Sequence, residues 1–198
     1  MIGPLLLVYN YYLTQHNYDP RKARAMFSAS NAAFLSILAL LTFVGAGVPY
    51  SPQYLLQQPE QTWLAAYVSS YFATDLFLGH LDRSLNLVTG YIHHSVYVGL
   101  VLYLQHNHQS NLIFLCLPFE IPTLVLDLHK MYPTYNYKPA FAATFIAFRL
   151  IANAYMISKV APLGQTYSNI ASAMLLTHVI WFTEWFIKIT AHHRGNEE

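Results

Sequence analysis

The chain has 198 residues, of which 55% are hydrophobic, 16% aromatic and only 10% charged. Soluble domains carry about 25% charged residues, so this composition, with a mean hydropathy of +0.32, points to one polytopic membrane domain. A formal charge of +1 without arginine or lysine runs offers no electrostatic footprint for nucleic acid. The lone Cys116 excludes an internal disulfide and a cysteine-based zinc site.

Residues 1–13 are apolar but short. They lack a positive n-region and a small-residue cleavage site, so they read as a short first span or the remnant of one, and not as a signal peptide. A membrane helix needs about 20 apolar residues. Runs of that kind fall at 26–48, 62–81, 88–105, 111–129, 139–161 and 168–190. Strand alternation is absent, which disfavours a barrel. The expected fold is therefore all-α, a transmembrane helix bundle of about six to seven spans joined by short loops. Residues 1–25 would form an apolar segment and basic loop, 26–190 the membrane domain, and 191–198 a tail.

Loop charge gives the orientation. With seven spans, Arg21, Lys22, Arg24, Arg83, Lys130, Lys138, Lys188 and Arg194 fall on one side and Lys159 on the other. The positive-inside rule then predicts a cytosolic C-terminus and a lumenal N-terminus.

Ionisable side chains inside spans are costly and face the bundle interior. The third run carries Asp75 and ends with His80 and Asp82; the fourth begins with His93 and His94. Glu120 sits mid-run between Pro118 and Pro122, followed by Asp127, His129 and Lys130. Arg149 and Asn153, four apart, share a helix face. The last run carries His178, Trp181, Glu184 and Trp185. On a linear depth estimate nearly all of these lie between mid-bilayer and the cytosolic surface, which predicts one polar chamber built by five spans. Adjacent histidines point about 100° apart, so at most one is expected to reach it. Arg149 is expected to pair with Glu120 or Asp75. Asp82 with Arg83 reads most simply as a solvated turn. Pro118 and Pro122 interrupt the hydrogen-bond ladder and free carbonyls near Glu120.

Four segments in order carry a resemblance: Ser69-Ser70-Tyr71-Phe72-Ala73-Thr74-Asp75, Tyr91-Ile92-His93-His94, Phe119-Glu120-Ile121-Pro122-Thr123 and Phe148-Arg149-Leu150. From about residue 26 to 190 the chain resembles the TLC-domain family of endoplasmic-reticulum membrane proteins, which includes the ceramide synthases. Ser30-Asn31-Ala32 stands where many members have a histidine after a serine. The acidic His-Asp-x-x-Asp segment of ceramide synthases is missing after His94, where the chain reads Ser95-Val96-Tyr97-Val98-Gly99. The likeness is thus to the smaller members. It implies a multi-pass protein of the endoplasmic reticulum that acts in lipid homeostasis.

Two functional classes remain open on these residues. In the first, His93 or His94 serves as general base or nucleophile in acyl transfer, with Asp75 or Glu120 orienting the imidazole or stabilising its cation. Glu120, Arg149, His178 and Tyr97 would then bind substrate. Acyl-CoA would be the co-substrate, met by basic cytosolic loops, with no other cofactor and no metal. In the second, the same chamber binds lipid without chemistry and regulates membrane lipid composition or trafficking. Membrane lipids are the expected partners, with a homodimer admitted. A proton-coupled transporter is disfavoured, because inverted repeats and paired broken helices are not visible.

Overall fold

The computed structural model describes residues 2–15, 17, 19–83 and 85–194. The end of the expected tail, 195–198, lies outside the described residues. Among those described there is no strand, so the all-α expectation holds.

Helix α1 spans Ile2–Gln15. Helix α2, Pro20–Leu40, starts on a built cap. The Asp19 carboxylate accepts the backbone N–H groups of Arg21 (3.0 Å) and Lys22 (3.2 Å), and Pro20 occupies the first turn. A π-helical turn over Leu41–Gly45 extends it. After the short α3, Pro52–Leu56, comes α4, Thr62–Leu81. A π-helical run over Leu87–Ile92 leads into α5, His93–His106. A 3₁₀ segment, Ser110–Glu120, feeds α6, Ile121–Met131. Helix α7, Lys138–Thr144, continues through a π-helical run over Phe145–Ile151 into α8, Ala152–Val160. Gly164, at φ +127°, makes the turn into α9, Gln165–Arg194; a side chain at that φ would be strained.

Four helices are long and apolar enough to cross a membrane: Pro20–Gly45, Ser110–Met131, Lys138–Leu163 and Gln165–Ile189. The fold is thus compatible with a membrane protein, with four candidate spans among the described residues. The remaining two long elements, α4 and the run through α5, are diluted by Asp75, His80, His93 and His94. At 14 residues α1 is about 21 Å long, short of a hydrocarbon core of about 30 Å.

Helix α2 is the centre of the bundle, packing on α1, α4, α6 and the 3₁₀ segment. Its buried face carries Ala23, Ala25, Ala29, Ala32 and Ala39, small residues that let neighbouring backbones come close. The opposite face shows Ile37, Leu40, Leu41 and Val44 outward, as α9 shows Leu176, Val179 and Ile180. Between these belts the apolar core includes Phe27, Leu35, Leu64, Val68, Leu115 and Leu117.

The 3₁₀ segment explains how the chain tolerates two prolines in a buried helix. In an i→i+3 ladder, Pro118 and Pro122 lack the N–H groups that would bond the carbonyls of Leu115 and Phe119. Those two carbonyls are met from elsewhere: Tyr50 donates its hydroxyl to Leu115 O (2.5 Å), and Arg149 Nε donates to Phe119 O (2.9 Å).

At the other end of that segment Asn111 clamps the α3–α4 connection. Its amide nitrogen lies 3.0 Å from Leu55 O and 3.1 Å from both Gln58 O and Pro59 O, while its oxygen accepts Gln61 N–H at 2.8 Å. Replacing Asn111 with leucine leaves these backbone groups without partners, at about 1–3 kcal/mol for each group left buried. The expected result is a thermal midpoint lowered by several degrees in detergent. Asn107→Ala, which removes one exposed bond to Tyr103 O, should leave the midpoint nearly unchanged.

Candidate functional site

A chamber of about 450 Å³ opens where α2 and α5 begin and α4 and α6 end. Antiparallel neighbours bring these termini to one side of the bundle. Arg21, Lys22 and Lys130 stand on its lining and are exposed. Deeper lining includes Asp75, His93, His94, Glu120 and Arg149, so five of the seven candidate site residues share one cavity. The other two stand outside this lining. Tyr97 lines a narrow apolar crevice of about 20 Å³ that touches the chamber at Phe72 and Glu120. His178 is fully buried, with Nε2 3.3 Å from the Tyr97 hydroxyl and Nδ1 3.2 Å from Arg149 O. Asn153 Nδ2 lies 3.2 Å from the same Nδ1, so both ring nitrogens are engaged and the ring supports the π-helical turn.

Both histidines reach the chamber, where at most one was expected. They diverge by about 100°, but the cavity spans the angle between them. His94 turns to α4, where its Nδ1 is 3.4 Å from Asp75 Oδ2, at ion-pair distance without hydrogen-bond alignment. His93 turns the other way, with its ring centre 4.5 Å from Tyr97 and 5.7 Å from Trp181. Phe72 stands edge-on to His94 at 5.5 Å and holds that ring from the side.

Asp75 is 3% exposed and gripped by Arg24, whose Nε and Nη2 donate to its two oxygens at 2.9 and 3.0 Å. This two-pronged geometry is the strongest form of carboxylate pairing. Arg24 Nη1 also lies 3.9 Å from Asp82. Arg24, expected in a basic loop, is therefore a chamber residue. Asp82, expected in a solvated turn, has a side chain only 4% exposed. A signal for Arg24 was present: Arg24, Ser28 and Asn31 repeat at helical spacing, and the last two bond Tyr71 (3.3 Å) and Tyr67 (2.5 Å) across the bundle.

Arg149 is not paired as expected. Among the described residues no carboxylate lies within ion-pair distance of it. Its Nε donates to Phe119 O at 2.9 Å and its Nη2 to Thr123 Oγ1 at 2.6 Å. Its guanidinium carbon lies 4.4 Å from the centre of the Trp181 ring. Glu120 faces the same chamber. Asp127 is held separately by Lys130 Nζ at 2.6 Å. Among the described residues no three His, Cys, Asp or Glu side chains converge as a metal centre.

Gly79 is what lets Arg24 reach Asp75. A Cβ built there would stand 2.6 Å from Arg24 Cζ and 2.5 Å from Leu85 Cγ, both impossible without movement. No family model, curated protein or solved structure matches the chain.

Two outcomes test this geometry. Arg24→Met removes both bonds to a buried carboxylate, at about 3–5 kcal/mol, whereas Asp75→Asn leaves Arg24 with Asp82 at 3.9 Å as a charge partner and costs less. The double variant should lose clearly less than the sum, a coupling read by thermal unfolding in detergent. Gly79→Ala should mimic Arg24→Met, lowering the midpoint although α4 keeps a better helix former.

Proposed function

We propose that this chain is a TLC-domain membrane protein of lipid homeostasis that transfers an acyl group from acyl-CoA to a lipid acceptor. The single observation that carries the reading is His94 on the wall of a 450 Å³ chamber with Asp75 at 3.4 Å from its Nδ1. In this reading α4 and α5 cross the bilayer beside the four apolar helices, giving six spans, or seven with α1. The chamber opens to the cytosol, the C-terminus is cytosolic, and the membrane is that of the endoplasmic reticulum. The basic residues Arg21, Lys22 and Lys130 at the opening attract the phosphates of a nucleotide thioester.

The chemistry follows from the pair. Asp75 on the Nδ1 side leaves His94 Nε2 to take the proton of an amine or hydroxyl acceptor. The acceptor's nitrogen or oxygen bonds to the thioester carbon. The carbon–sulfur bond then breaks, and the CoA thiolate leaves with the proton held by the imidazolium. His93, boxed by Tyr97, Trp181 and Phe72, lines the same space and packs against the acyl group.

The second reading is a non-catalytic lipid-binding regulator of membrane composition or trafficking, with membrane lipids or a second copy as partners. The crevice favours it: an acyl tail needs a long apolar channel, and the apolar space joined to the chamber is only about 20 Å³.

The deciding experiment supplies purified protein in lipid nanodiscs with acyl-CoA donors and sphingoid or lysolipid acceptors, with products read by mass spectrometry. Acyl transfer predicts a product whose rate falls about 10²-fold or more in His94→Ala. No product, together with a cellular lipidome unchanged by His93→Ala and His94→Ala, would overturn transfer and leave the binding reading.

A further inference from the structure

Arg149 is 1% exposed, and its side chain ranks first by volume among the fully buried ones. Its donors are used unequally. Nε and Nη2 bond Phe119 O and Thr123 Oγ1, while Nη1 is buried with no hydrogen-bond partner. The guanidinium carbon lies 4.4 Å from the Trp181 ring centre and 5.4 Å from that of Phe145, so two aromatic rings pack against the cation. A buried cation with a spare donor costs free energy unless something supplies an acceptor. Native proteins satisfy nearly all such groups. Arg149 lines the chamber, which makes a group bound there the candidate acceptor.

We propose that Arg149 Nη1 receives the carbonyl oxygen of the ligand's acyl group. A neutral carbonyl fits better than a carboxylate, because of the four carboxylates that line the chamber Asp75, Asp82 and Asp127 have cationic partners, whereas Glu120 has no ion pair among the described residues and repels a ligand's negative group. The carbonyl takes a charge-assisted bond without that repulsion. Thr123 and Trp181 are positioning residues that hold the guanidinium in register. If the acyl group is transferred, negative charge gathers on this same oxygen as the carbon–sulfur bond is replaced, and Arg149 stabilises it. The inference rests on the acyl-ligand reading and names the atom that reads the acyl group.

The test compares ligands that differ only in that carbonyl. Full-length protein in nanodiscs is titrated with palmitoyl-CoA and with its thioether, S-hexadecyl-CoA. A 1-acyl lysophosphatidylcholine and its 1-O-alkyl ether form a second pair. Tryptophan fluorescence reports binding. Wild type should prefer each carbonyl ligand by about tenfold or more, and Arg149→Gln should bring the ratio to about one. A ratio preserved in Arg149→Gln, or no preference for either carbonyl ligand in wild type, overturns the proposal. Discrimination within the lysolipid pair without binding of either CoA compound supports the carbonyl site and overturns acyl-CoA as the donor. Isotope-edited infrared spectra of a ¹³C-carbonyl ligand on wild type give an independent reading. A band shifted down from its position in micelles supports the bond, and an unshifted band overturns it even where Arg149→Gln fails to fold.

Discussion

The polar half of this bundle depends on the bond between Arg24 and Asp75. A carboxylate in a helix that faces apolar neighbours is costly to bury, and here both its oxygens are taken by one guanidinium from α2. That pairing fixes α4 against the start of α2, the central helix. It also leaves Asp75 Oδ2 at ion-pair distance from His94 Nδ1. The absence of a side chain at Gly79 makes the approach possible. A salt bridge buried this deeply adds little net stability over apolar packing. Its contribution is position: it gives the chamber one wall of defined geometry.

The opposite wall is built by a different device. Two prolines turn the entry to α6 into a 3₁₀ helix with two carbonyls that its own ladder does not bond. Tyr50 takes one and Arg149 the other. The second arrangement brings a guanidinium from a π-helical turn to the chamber, and His178 braces the backbone carbonyl of that same residue. Irregular backbone inside a membrane protein is tolerated where it is buried against protein or lines a cavity. Here the irregular segments, the π-helical run before His93, the 3₁₀ segment ending at Glu120 and the π-helical turn at Arg149, each deliver a chamber residue.

A polar chamber at one end of the bundle was legible because burying ionisable groups is expensive. Asp75, His93, His94, Glu120 and Arg149 announce themselves against a background of leucine and phenylalanine, and antiparallel topology sends them to one end. Arg24 was harder to see. Three basic residues in a row of six look like a solvated loop, and only the spacing of Ser28 and Asn31 behind it marks a helix face turned inward. The pairing of Arg149 was not legible at all. Charge alone suggested a carboxylate, whereas the structure satisfies two of its nitrogens with a proline-freed carbonyl and a hydroxyl.

Long apolar runs, scarce charge and the absence of strand alternation indicated by themselves an all-helical chain with helices able to span a membrane, because of the two arrangements that satisfy every backbone group in lipid, helices and closed barrels, only the first fits that pattern. Tertiary structure alone decided which charges meet. Partner choice depends on distances of an ångström or two between residues 51 or 30 positions apart, such as Arg24 with Asp75 and Arg149 with Phe119. Local propensity carries no information at that separation. The same holds for the paired histidines: their residue type was plain in the sequence, but only the packing of α4 and α9 on either side of α5 gave one of them a carboxylate and the other an aromatic box.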